Sequence, residues 1–493
     1  TEGDGEAASD VTKGGTFRFA LGNIAFIDPV NLQESEGTQV GQAVFDSLVA
    51  FDPITSEIVP AAAESWEPND DATVWTFHLV KGAKFHNGRE VVAEDFKYAW
   101  ERICNPVNES EIAYHLAPIE GYEAMQDGTA TELSGVKVID DTTLEVTLTE
   151  PFADFEFVVG HPAFAPVPKE AVEDGVKYTN ADGKEETVDF SEMPIGNGPF
   201  KMAEPWAHDQ YVKVVKFDDY YGTKPNIAGI DYTIFADDDT AWSEFQAGNL
   251  DFAAIPSGQI EATKAEFGEA PNGYTANPGE QVYLGAELST YYYTVNNTDP
   301  VLANKDLRKA ISLAINRQAI CDKIFEGTRV PATGIVPPGM VGYKENAFPY
   351  AKYDVEAAKA ALVDAGYPNG EGLPVIKLQY NTESPAHADI AQLVQADLAA
   401  IGVQTELSGM EWAQYLDYLK EKTYGMGRLG WQADYPSAYN FLNSLFVTGA
   451  DDNYSGYSSA DVDKLLKEVV TEADSAKRGE IYSEIEAKVG EDT

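Results

Sequence analysis

Cationic side chains are scarce in this chain of 493 residues: 34 Lys and Arg stand against 82 Asp and Glu, a formal charge of −48. A deficit of that size excludes a nucleic-acid partner, whose phosphates must be neutralised by lysine and arginine. The acids are spread along the chain, with only short runs such as Asp237-Asp238-Asp239, so they read as a solvated surface and specify no ligand. Cysteine is scarcer still. Cys104 and Cys321 lie far apart, without a CxxC spacing or a neighbouring histidine; they read as two small buried thiols, with a disulfide as the alternative. No run of eighteen apolar residues occurs, so nothing here is expected to span a bilayer as a helix. The six histidines (His78, His86, His115, His161, His208 and His387) show none of the HxH or HxxxH spacings that gather a metal, and no metal or cofactor is expected. GxSxG, HExxH, P-loop and strand–GxGxxG–helix signatures are absent as well, and pairs of acids are uninformative in a chain so rich in them. The chain is not expected to be an enzyme.

What is present is a large apolar payload: 44% hydrophobic residues, with 26 tyrosines and 23 phenylalanines. At this length the core is expected to divide among two or three domains. Residues 1–15, TEGDGEAASDVTKGG, are small, polar and unpatterned and read as a flexible tether, which in front of a large body fits a secreted or surface-anchored protein; the first residue is not Met, which points to a leader removed or left out of this sequence. Residues 16–20 alternate as a strand, residues 37–51 read as an amphipathic helix, and residues 74–80 form a strand with Trp75, Phe77 and Leu79 on one face. A helix is expected over 96–103.

The clearest local architecture comes late. Residues 375–380 form a strand, Ser384-Pro385 caps and opens a helix, and Ile390, Leu393, Val394, Leu398 and Ile401 recur at helical spacing until Gly402 stops it. A strand over 403–407, a helix over 411–420 and a strand within 424–431 follow, and this order implies a parallel sheet. The last strand opens the stretch YGMGRLGWQADYPSAYNFLNSLF at residues 424–446, in which Asp434 stands among Trp431, Tyr435 and Tyr439, six residues after Arg428. A carboxylate among rings suits an ammonium, and an arginine suits a carboxylate; together they suit a zwitterion such as a peptide. The competing reading is an ordinary strand end, with Asp434 capping the next helix and the rings in the core, and the local residues alone favour it. The topology reverses that preference. Ligands of such sheets bind beyond the carboxyl ends of the strands, and here those ends deliver His387, Trp412 and Asp434, with His387 in a first helical turn that favours an anion.

The segment TFHLVKGAKFHNGREVVAEDFKYAWERI at 76–103 resembles the signature of extracytoplasmic solute-binding proteins of peptide-type ABC importers, the oligopeptide, dipeptide and nickel class. Further pieces follow in that family's order: IGNGPF at 195–200, FQAGNLD at 245–251, the helix from Asp306 through Arg317, and VPPGM at 336–340. The resemblance implies a periplasmic-binding-protein-like α/β fold of two lobes and three domains, with a hinge and a ligand cleft between the lobes. It places the discontinuous first domain at 16–45 and 192–269, an inserted second at 46–191 and a third at 270–493. Crossings between lobes are expected near 281–296, where Tyr291-Tyr292-Tyr293 fit a strand running between the lobes and lining the cleft, and near the C-terminus, where the family's apolar return strand is missing after Thr493. The intact GWxADY motif, Gly430 to Tyr435, implies that Asp434 holds a peptide's α-amino group, with Trp431 and Tyr435 beside it. Arg428 matches an arginine, and His387 (with one inserted residue) a histidine, that contact peptide carboxylates of particular lengths. Trp412 matches a pocket tryptophan, with a core ring as its other reading. Glu36 falls in a loop that reaches the cleft, with a plain solvated acid as the other reading, and Tyr114 is a further candidate. The implied function is capture of short peptides for a membrane ABC permease by a monomer outside the cytoplasm, periplasmic or held at the cell surface by an N-terminal lipid. The alternatives are an oligosaccharide or metal chelate on the same fold, or an enzyme or adhesin built on it.

Overall fold

The computed structural model describes residues 14–340, 342–472 and 474–492. Of the tether expected over 1–15, residues 1–13 lie outside the described residues; Gly14 and Gly15 are bonded to the body, through the Gly14 N–H to Asn226 and the Ala228 N–H to Gly15. The described chain is an α/β molecule of two lobes.

Two four-stranded sheets share one continuous core in the first lobe. One sheet has the order Thr16–Leu21, Gly229–Ile234, Tyr211–Lys216, Phe200–Met202, with the first pair parallel and the others antiparallel. The other is an antiparallel meander-like sheet of Ala63–Pro68, Val74–Leu79, Thr143–Thr147 and Val136–Asp140. Its central strand shows the period-two burial read from the sequence: Trp75, Phe77 and Leu79 face inward, and the helix Ala93–Cys104 buries Phe96 and Trp100 against the same core.

The helix expected over 37–51 is shorter, Ser35–Val44, and Val49–Phe51 is a strand. Tertiary partners end it. The Val44 carbonyl takes the N–H of Gly198, and the Asp46 N–H goes to Asn197 Oδ1 (2.9 Å). A Cβ at Gly196 would sit 2.0 Å from the Val44 oxygen, so only glycine lets the segment at 195–200 come this close.

The second lobe is built on a sheet ordered Ser289–Val295, Met426–Gln432, Ile376–Asn381, Thr405–Met410. The last three are parallel, as the strand–helix alternation requires, and the first runs antiparallel to its neighbour. The helix Pro385–Ala399 covers the sheet with Ile390, Val394 and Leu398, all buried, and the chain turns back at Gly402, whose φ is +92° and whose Cβ would meet the Asn369 carbonyl at 2.1 Å. Because Ser289–Val295 pairs along its whole length inside this lobe, Tyr291-Tyr292-Tyr293 do not span the lobes, and the crossing falls just before them, near 283–288.

The lobes are closed on one another. Asn23 donates to Glu411 (2.8 Å), the Asp238 N–H to the Glu383 carbonyl (3.0 Å) and the Glu261 N–H to Glu326 (2.9 Å), and Lys420 pairs with Glu111. Cys104 and Cys321 are both buried and free.

Candidate ligand-binding site

The strand Met426–Gln432 organises the site because half of one edge is free. Its inner partner, Ile376–Asn381, reaches it only at Leu378–Met426 and Gln379–Gly427. On the other side the Ala433 N–H binds the Leu288 carbonyl, so the alternation of an antiparallel pair also turns the amides of Trp431 and Leu429 that way. The amides of Gly430 and Gln432 therefore face the open edge. The carbonyl of Arg428 on that edge is taken by the Tyr415 hydroxyl (2.9 Å), and from Gly430 onward the edge borders a cavity of about 160 Å³ between the lobes. The second lobe walls it with Tyr292, Trp412, Trp431, Asp434 and Asp452, and the first with residues from Gln33 to Gln42 and with Pro162.

Asp434 does not cap the next helix; Ser437 does, accepting the Tyr439 N–H. Asn440, fully buried, instead orients Asp434: its Nδ2 donates to Asp434 Oδ2 (2.8 Å), while its Oδ1 accepts the Asp434 N–H (3.0 Å) and Trp431 Nε1 (2.9 Å). Across the lobe boundary, His161 Nε2 lies 3.7 Å from Asp434 Oδ2. His161 Nδ1 accepts the Ala163 N–H (3.0 Å), which leaves the ring proton on Nε2, toward Asp434. Burial keeps His161 neutral, and it pushes His115, stacked on His161 at 3.9 Å, down to about 3. Among the described residues no cation is paired with Asp434, and burial raises its carboxyl to about 7.

His115, His161 and Asp434 bring three ligand atoms within 4.8 Å of one another. They do not fit a metal ion: the one free lone pair of neutral His161 is spent on Ala163, and its other nitrogen carries a proton. The arrangement fits an ammonium better, which needs a carboxylate in a dry, ring-lined space.

A second group lies along the same strand. Arg428 Nη1 donates to Asn381 Oδ1 (3.1 Å), and its guanidinium sits 4.6 Å over the Tyr291 ring. The Tyr291 hydroxyl meets His387 Nδ1 at 3.3 Å. Burial, with Arg428 and Arg329 adding to it, lowers His387 to about 2, so the imidazole is neutral. Glu36 faces this group: burial raises its carboxyl and Arg428 opposes the rise. Neither Arg428 nor Arg329 is ion-paired among the described residues, in a protein dominated by acid. Arg428 Nε, Trp412 Nε1 and Glu34 Oε2 are buried without hydrogen-bond partners, each at a cost of about 1–3 kcal/mol that a ligand's polar groups would offset.

The structure thus brings Asp434, Trp431 and Trp412 onto one cavity wall, and Arg428, His387 and Glu36 into a neighbouring group. Tyr114 reaches the cavity indirectly, donating to Asp452 Oδ2 at 2.6 Å. Tyr435 is not on the wall. It is 2% exposed and inserts into the first lobe's core, because the turn after Asp434 points alternate side chains to opposite sides. Sequence reading missed Glu34, His115, His161, Arg329 and Asp452; no local pattern marks them, since folding alone brings them together. Tyr292, expected on a strand lining the cleft, is on the cavity wall.

The chain belongs to the bacterial extracellular solute-binding proteins, family 5. That family's sequence profile matches residues 57–453. The oligopeptide-binding protein OppA of Bacillus subtilis is 33% identical over 432 residues, 86% of this chain and 76% of its own. The murein tripeptide binding protein MppA of Escherichia coli superposes with a TM-score of 0.85 at 28% identity, covering 98% of this chain and 92% of MppA. Against the unliganded open form of MppA the TM-score is 0.64, at 27% identity with 98% and 91% covered, in keeping with the closed lobes seen here. As a family member this binding protein acts outside the cytoplasm, and its relatives are solute-binding proteins rather than enzymes; none of its described helices is long and apolar enough to cross a membrane.

Proposed function

We propose that the protein captures short peptides and delivers them to an ABC permease. The observation that carries this reading is Asp434: a dry carboxylate oriented by Asn440, without a cation, at the end of a strand whose free amide edge can pair with an extended main chain. Asp434 takes the ligand's α-ammonium, Gly430 and Gln432 pair with its backbone as an added strand, and Arg428 receives a carboxylate. Affinity then rests on what peptides share, and the names of the oligopeptide- and tripeptide-binding relatives support the same class. In this reading the first lobe divides into a discontinuous domain (16–45 and 192–269) and an inserted one (46–191), the third domain (270–493) forms the second lobe from the crossing near 283–288 onward, and a monomer works from a lipid tether.

Native mass spectrometry of protein as purified, and after unfolding and refolding to strip ligand, tests this. Extra masses matching peptides of a few residues are expected. Asp434→Ala should lose them, with affinity for a stripped-and-readded tripeptide reduced about 30-fold or more. A single discrete mass matching a sugar or a chelate would overturn the ligand class.

A further inference from the structure

On the second lobe's side of the cavity, a grip on the peptide main chain leaves one carboxylate without a role. Asp452, in the loop after the helix Ala438–Phe446, is 7% exposed. Among the described residues its carboxylate has a single hydrogen bond, from the Tyr114 hydroxyl to Oδ2 (2.6 Å), and no ion pair. A carboxylate buried for structural reasons looks different in this same molecule: Asp154 is met by Arg478, Tyr482 and Ser437. The charges that act on Asp452 are those of Asp434, Asp451 and Glu111, all acidic; Lys420 and Lys422 act on the neighbouring Asp451, and Lys420 is engaged by Glu111.

On the second lobe's side, the cavity that Asp452 lines is also walled by one apolar and aromatic cluster. Leu416 and Leu429 supply aliphatic surface, and Tyr292, Tyr454 and Trp412 supply rings. A sleeve of this kind ending in a carboxylate matches the anatomy of a basic side chain. The methylene stem packs on the leucines and ring edges, and the cation meets the carboxylate and the ring faces. Asp434 cannot serve this purpose while it holds the α-ammonium. A ligand with two positive groups would satisfy both carboxylates.

We propose that the Asp452 end of the cavity is a subsite for the cationic side chain of a lysine- or arginine-containing peptide. The inference rests on the peptide reading of the site and adds a preference to it. Asp434 answers a feature every peptide has; Asp452 answers one that only basic peptides have.

Isothermal titration of the stripped protein with alanine tripeptides tests this, each position in turn being lysine, arginine, acetyl-lysine, norleucine or glutamate. At one position lysine and arginine should bind about tenfold or more tighter than norleucine and acetyl-lysine, as a charge-assisted hydrogen bond in a dry pocket provides. In Asp452→Asn that ratio should fall to about one, and Asp452→Glu should retain the preference. Equal affinity for lysine and norleucine at every position, or a preference that survives Asp452→Asn, overturns the subsite. The acetyl-lysine comparison uses unmodified protein and stands even where a variant fails to fold. Peptides that bind without a lysine preference defeat the subsite alone; binding of none of them defeats the peptide reading as well.

Discussion

At the scale of single residues, the site is a set of groups held away from their ordinary ionisation by burial. The Asp434 and Asp452 carboxyls are raised to about 7 and that of Glu34 to about 8, because each is desolvated, with Glu36 adding to the rise at Glu34 and Asp434 to that at Asp452; none is paired with a cation among the described residues. The sign for binding follows. An α-ammonium needs ionised Asp434, so protonation below about pH 7 competes with the ligand, while the ligand's own amine loses its charge above about pH 8. Peptide affinity should peak between about pH 7 and 8 and weaken by roughly tenfold per unit below about pH 6, read from Kd for trialanine across pH 5–9. A flat profile would contradict the role of Asp434. Asp452 and Glu34 titrate in the same sense and can only steepen the acid limb.

At the scale of elements, a buried acid replaces missing strand partners in the second lobe. Glu486 on the helix Ser475–Asp492 is fully buried, and its Oε1 accepts the N–H groups of Ile335 (2.6 Å) and Val336 (2.8 Å). Burial raises it from 4.5 to about 7 despite these bonds. A folded-state pKa above the unfolded one means that the native protein binds the extra proton. Its stabilising effect is complete below about pH 4.5 and is lost as pH climbs toward 7, a swing on the order of 3 kcal/mol. Glu486→Gln keeps an acceptor for both amides without a titrating charge. The variant should gain melting temperature at pH 8 relative to the parent and show a smaller difference between pH 5 and pH 8. Equal pH dependence of the two proteins would show that the carboxyl is not the source.

At the scale of the whole molecule, closure joins the lobes through Asp154. This first-lobe carboxylate is 6% exposed and, among the described residues, meets only second-lobe groups: Arg478 (3.2 Å), the Tyr482 hydroxyl (2.9 Å) and, at 3.5 Å, Ser437. Beside it Phe152 packs on Tyr439 with ring centroids 5.1 Å apart, and Tyr435 enters the first lobe's core. These groups touch no ligand wall, so they bias the open–closed equilibrium alone. Asp154→Asn leaves Arg478 without this charge on closing. The variant should bind tripeptide about tenfold or more weakly and, in small-angle scattering, need more ligand to reach the compact form. An unchanged Kd would remove Asp154 from the closing equilibrium.

Periodicity by itself determined the elements whose cause is local. Trp75, Phe77 and Leu79 alternate because one face of a strand is buried, and Ile390, Val394 and Leu398 recur because one face of a helix is. Both patterns are written in consecutive residues. The order of strands and helices near the end of the chain likewise placed Asp434 and His387 just beyond the carboxyl ends of parallel strands, whereas the partners that orient Asp434, Asn440 and His161, were not read from the motif. What the tertiary structure decided depends on residues far apart in sequence. The helix expected over 37–51 stops at Val44 because Asn197 and Gly198 supply other hydrogen-bond partners, a competition invisible within the segment. Tyr435 shares a motif with Asp434 yet packs into the opposite lobe, since its direction is set by the turn and its partners by closure. His161 and Asp452 reach the cavity from positions without any spacing signal, and only the meeting of two lobes excludes water well enough to bring the carboxyls of Asp434 and Asp452 to about 7.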